Sequence, residues 1–86
     1  MMETDAEARA AYDDRMAAVR HGCAAAVAAL GSEGGLTPDL SETEATDLLW
    51  ALLSVETWGR LTRDCGWSQN RYVEVLQQTA RAALLR

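Results

Sequence analysis

The sequence predicts an all-α chain of four helices, and three observations carry that prediction. Apolar residues recur at three- and four-residue intervals through long stretches. No run alternates apolar and polar in the manner of a strand. Gly, Pro and Ser gather where helices should start or stop. With 86 residues and 49% hydrophobic content, the chain suffices for one domain and is too apolar for disorder. A unit this small buries only roughly 60–65% of its unfolded surface, so its core is marginal and a partner is expected.

The first helix is expected over about residues 5–30. Thr4-Asp5-Ala6-Glu7 has the form of a capping box, in which threonine and glutamate satisfy otherwise orphaned backbone N–H groups. Tyr12, Met16, Val19, Cys23, Ala26 or Val27, and Leu30 then form one apolar stripe, with Asp13, Asp14 and Arg20 off it. Gly22, in mid-helix, permits a bend or the close approach of another helix, and Gly31 is the expected stop. Residues 31–40 (GSEGGLTPDL) hold three of the six glycines and the one proline, and read as a loop.

A second capping box, Ser41-Glu42-Thr43-Glu44, opens a helix over about 42–54. Within it Leu48-Leu49-Trp50-Ala51-Leu52-Leu53 is apolar all the way round, which predicts burial on more than one side. Ser54-Val55-Glu56 interrupts the run, and a short third helix is expected over about 56–65. Gly66 is a suitable C-terminal cap, and Ser68 a suitable N-cap for a last helix over about 69–85. That helix carries Tyr72, Val73, Leu76, Ala80, Ala83 and Leu84 at helical spacing.

Composition narrows the function. Thirteen acids against eight bases give a net charge of −5, which argues against the whole chain as a nucleic-acid binder. The balance is −8 over residues 1–56 (eleven acids, three arginines) and +3 over residues 57–86 (two acids, five arginines). All bases are arginine and sixteen residues are alanine, a bias that a GC-rich coding sequence would produce and from which a high-GC bacterial source is expected. No apolar run approaches the ~20 residues of a membrane span, and the acidic N-terminus does not fit a signal peptide. The chain is expected to be soluble and cytoplasmic, without a membrane partner.

No enzyme is expected. Asp13-Asp14 and Glu42/Glu44 read as solvated or helix-start carboxylates. His21, the single histidine, falls off the apolar stripe on a rim or exposed position. Gly34-Gly35 follows no strand and makes no phosphate loop. Cys23 and Cys65 form no paired ligand motif, so no metal site or cofactor is expected, and both read as buried free thiols.

The residues DLLWALLSVE (47–56), followed by Trp58, Leu61, Gly66-Trp67-Ser68, Arg71-Tyr72 and Leu76, resemble the closing part of TetR/AcrR-type transcriptional regulators. GLTPDLS (35–41) is similar to the lead-in to the same helix in that family. Val55 stands where the family usually has proline. The resemblance spans about residues 8–85 and implies a single C-terminal effector-binding and dimerisation domain over residues 1–86. The family's N-terminal helix-turn-helix domain has no counterpart in this sequence. DNA would then be reached only through a missing or partner-supplied reading head.

The same resemblance implies antiparallel packing of the second and last helices across a two-fold axis in a homodimer. Leu49, Leu53, Tyr72, Leu76, Ala80 and Ala83 are the expected interface, in keeping with the all-round apolar run. It also implies a pocket for a small apolar effector walled by Tyr12, Met16, Val19, Cys23, Trp50 and Trp58. Two rival readings remain. One is a small helix-turn-helix DNA binder that reads bases with residues 69–81, starting from Gln69, Asn70 and Arg71. The other is a stand-alone helical protein-interaction module.

Overall fold

The computed structural model describes residues 2–86, with side chains from Asp5 onward, and the chain is all-α. Helix α1 (Met2–Ser32) is followed by α2 (Glu42–Leu52), α3 (Val55–Gly59), a π-helical turn (Arg60–Asp64) and α4 (Gln69–Leu84). Among the described residues there is no strand, only an isolated antiparallel bridge between Leu36 and Leu85.

The local starts and stops follow side-chain chemistry. Ser41 accepts from the Glu44 N–H at 3.0 Å while Glu44 accepts from the Ser41 N–H at 2.9 Å, so the second capping box closes as expected. Ser54 accepts from the Thr57 N–H at 3.2 Å and starts α3, and Ser68 accepts from the Arg71 N–H at 3.1 Å and starts α4. Gly66 is left-handed at φ 78, next to Cys65, the C-cap of the π-helical turn.

Several expectations need correction. Helix α1 is already formed at Met2; the side chain of Thr4, and so its capping box, lies outside the described residues. Its stop lies beyond Gly31. Gly34 takes the left-handed conformation (φ 75) and donates to the Gly31 carbonyl at 3.2 Å, while Gly35 donates to the Leu30 carbonyl at 2.9 Å. This is the Schellman arrangement, which satisfies carbonyls at the helix end. Gly22 serves no close approach, because a Cβ there would meet nothing within 4 Å. Cys65 is exposed, and only Cys23 is a buried thiol.

The α1 stripe is also shifted from expectation. Met16, Cys23 and Val27 are buried, Val19 is 36% exposed, and Arg20 is half-buried. At about 100° per residue Arg20 lies about 40° from Met16 and Val19 about 60° on the other side, so Arg20 shares the inward face. Its aliphatic stem suits that position and its charged head reaches a partner.

Val27, Ala45 and Leu84 form the buried centre, one residue from each long helix, with Leu36, Leu40, Leu49, Ala80 and Ala83 packed around it. The loop between α1 and α2 is stitched to the end of the chain. Thr37 N–H donates to the Leu84 carbonyl and Arg86 N–H to the Gly35 carbonyl, both at 2.8 Å. The Tyr72 hydroxyl donates to the Leu52 carbonyl at 3.1 Å and fixes α4 to the end of α2. The core thus sits at one end of the molecule, and the N-terminal half of α1 runs past it.

Candidate functional site

Away from the core, a half-open cleft of about 410 Å³ lies between α1, α2 and the start of α3. Tyr12, Met16 and Ala17 supply its α1 wall, and Trp50 its α2 wall. Asp13, Arg20, Ser54 and Glu56 add polar atoms at its rim. The volume falls within the range of about 300–1,000 Å³ typical of small-molecule sites.

Three cross-links tie α1 to α2 and to the start of α3. The Trp50 indole Nε1–H donates to the Met16 main-chain carbonyl at 2.9 Å, which pins the ring against α1. Arg20 pairs with Asp47, and its guanidinium lies 4.9 Å from the centre of the Trp50 ring in a cation–π contact. At the far end the Tyr12 hydroxyl donates to the Glu56 carboxylate. The cleft is therefore bracketed by Arg20–Asp47 on one side and Tyr12–Glu56 on the other, with an apolar floor between.

Electrostatics follow from these contacts. The hydrogen bond from Tyr12 holds the Glu56 carboxyl below its ordinary 4.5, so Glu56 is ionised. The same bond, helped by the charges of Glu56 and Asp13, raises the Tyr12 hydroxyl above 10.0 and keeps it protonated. Burial raises the Cys23 thiol above 9.0 against the opposing pull of Arg20, so Cys23 is a neutral thiol. Among the described residues no three His, Cys, Asp or Glu side chains gather in a metal-holding group. No buried side-chain nitrogen or oxygen there lacks a hydrogen-bond partner.

Of the six side chains expected to wall a pocket, Tyr12, Met16 and Trp50 meet in this cleft. Cys23 is buried further along α1 toward the core, and Val19 is exposed. Trp58 is 40% exposed, its Nε1–H donating to Gln69 Oε1 at 2.6 Å, and it links α3 to the start of α4. The liners that hydropathy missed are Asp13, Ala17, Arg20, Ser54 and Glu56. The signal for Arg20 was its position one turn beyond Met16. Glu56 gave none, because its meeting with Tyr12 spans 44 residues.

The six expected interface residues divide as well. Leu49, Ala80 and Ala83 pack on this chain's own core, and Tyr72 is buried. Leu76 is half-buried beside a small void shared with Leu52, Leu61 and Tyr72. Leu53 is 39% exposed, as are its neighbours in kind Leu48 (36%), Val55 (51%) and Val73 (37%). Of the three residues offered as base readers, Gln69 is engaged by Trp58 and Arg71 by Glu74. His21 is exposed, as expected.

Fold and site together define a small helical domain with a ligand-sized cleft between its first two long helices. Set against models of protein families, curated proteins and solved structures, the chain matches none.

Proposed function

We propose that this chain is a sensing and dimerisation domain of the kind that closes TetR/AcrR-type regulators, taking a small apolar molecule between α1 and α2 and acting by binding, not catalysis. The observation that carries the reading is the meeting of Tyr12, Met16 and Trp50, from two helices, in one cleft of about 410 Å³. Its wall is apolar and its rim polar, the division that small-molecule sites use for affinity and orientation. Val27 clusters with Ala45 while Met16, earlier in α1, meets Trp50, later in α2, and this order supports antiparallel packing of the two helices. A second copy would complete a four-helix antiparallel assembly through the exposed leucines and valines of α2, α3 and α4. DNA would be reached only through a reading head outside these helices.

The test is a thermal-shift screen of small aromatic compounds of every charge, run in parallel on the Ala17→Trp variant. Ala17 is exposed and lines the cleft, so an indole there fills the cavity without disturbing the core. Compounds that raise the unfolding temperature of the native chain and leave Ala17→Trp unmoved support the reading. A screen in which no compound distinguishes the two proteins overturns it.

A further inference from the structure

We propose that the cleft selects an organic cation with an aromatic or otherwise apolar body, its charge seated between Asp13 and Glu56 and its body over Met16 and Trp50. The inference rests on the reading of the cleft as a ligand site. It adds the chemical class of the occupant.

Four observations lead to it. First, the charges at the rim are unequal. Among the described residues Arg20 is the one cation lining the cleft, and Asp47 already neutralises it from outside. Asp13 and Glu56 are both anionic, and neither has an ion-pair partner among the described residues. Arg60, one turn beyond Glu56, lines a neighbouring groove that Glu56 also borders, and makes no ion pair with it.

Second, the two carboxylates act at one place. Both line the cleft, and Glu56 accepts from Tyr12, the residue next to Asp13 on α1. The Tyr12 proton is committed to Glu56, so its oxygen is left as an acceptor. A cationic head there meets three acceptors and no competing donor from Tyr12.

Third, the aromatic surface suits the body. The Trp50 ring already receives the Arg20 guanidinium at 4.9 Å, and its nitrogen is fixed to the Met16 carbonyl. With Arg20 already over it, the fixed ring lines the cleft as surface for the ligand's apolar body, away from the carboxylates that hold the charge. Fourth, a bare metal ion does not fit, since no three-ligand group exists among the described residues and the floor is apolar. A charge carried on an apolar body uses both halves of the cleft.

The test compares tetraphenylphosphonium with tetraphenylborate, ions of matched size and shape and opposite sign, by isothermal titration calorimetry. The proteins are the native chain, the Asp13→Asn/Glu56→Gln double variant, and a control double variant, Glu33→Gln/Asp39→Asn, that removes two exposed charges outside the cleft. The phosphonium should bind the native chain and the control alike, at least about tenfold tighter than the borate, and weaken about tenfold or more in Asp13→Asn/Glu56→Gln. Circular dichroism of each variant confirms that the helices persist. Equal binding of the two ions overturns the cation preference and leaves the cleft a ligand site. Equal weakening in the control assigns any preference to net charge and overturns the seat between Asp13 and Glu56. If neither ion binds, the cation proposal falls, and a screen that also yields no cleft-dependent compound removes the underlying reading with it.

Discussion

At the scale of single residues, two tyrosines separate the site from the scaffold. Tyr72 is buried and donates to the Leu52 carbonyl, so its hydroxyl is a structural tie. Tyr72→Phe should cost about 1 kcal/mol at neutral pH, the net worth of one such bond. Burial raises the Tyr72 hydroxyl above 10.0 and the Cys23 thiol above 9.0. A raised folded-state value favours the protonated form. The stability these groups contribute is complete below their ordinary values and is lost as pH climbs through the raised ones. Urea midpoints should therefore decline above pH 9, and Tyr72→Phe should make the decline above pH 10 shallower; parallel curves for the two proteins would reject this account. Tyr12 acts on Glu56 instead. Its hydrogen bond lowers the Glu56 carboxyl, a contribution present above pH 4.5 and lost as acid protonates that group. In Tyr12→Phe, carbon-13 NMR titration should show Glu56 moving back up toward 4.5, with overall stability almost unchanged because the pair is exposed.

At the scale of elements, the two glycines associated with α1 make opposite demands. Gly22 is helical, exposed and free of neighbours, so Gly22→Ala should stabilise the chain by about 0.5–1 kcal/mol. Gly34 stands at φ 75, where an added Cβ meets open space but a strained backbone, so Gly34→Ala should destabilise by about 1–2 kcal/mol. Urea unfolding of the pair checks both signs, and the same sign for both would refute the cap assignment. The contrast also shows what the sequence made legible. The all-α class, the Ser41 box, the Ser68 cap and the Gly66 turn were readable because each depends on residues within one helical turn. The stop of α1 was not, since GSEGG offers three glycines and the choice between them depends on carbonyls a turn back. Tyr12, Met16 and Trp50 were found as an apolar set. Arg20 and Glu56 were missed because hydropathy assigns charged residues to solvent, whereas here each bonds to a partner 27 or 44 residues away in sequence.

At the scale of the whole molecule, the chain leaves more surface in water than its mass requires. A compact protein of 9.4 kDa exposes about 5,000 Å² and has a radius of gyration of about 12 Å. This chain exposes 6180 Å² and has a radius of gyration of 15.1 Å, with extents of 49 × 28 × 16 Å. Part of the difference is the N-terminal end of α1, where every side chain from Asp5 to Ala11 is exposed. Another part is apolar, in Leu48, Leu53, Val55 and Val73. The excess of about 1,200 Å² is comparable to the roughly 800 Å² that each partner contributes to a stable interface, so a second copy matches it in size. The core residues Leu49, Ala80 and Ala83 are already used within the chain, which shifts the expected contact to the exposed set. Light scattering should give twice 9.4 kDa at micromolar concentration, and the unfolding midpoint should rise with protein concentration, as mass action requires of a dimer. Leu53→Arg with Val73→Arg alters two residues already more than a third exposed in the single chain. It should therefore leave the helices intact while halving the mass and removing the concentration dependence. A native chain that stays monomeric, with scattering near 15 Å and a midpoint indifferent to dilution, would make the exposed leucines and valines plain surface.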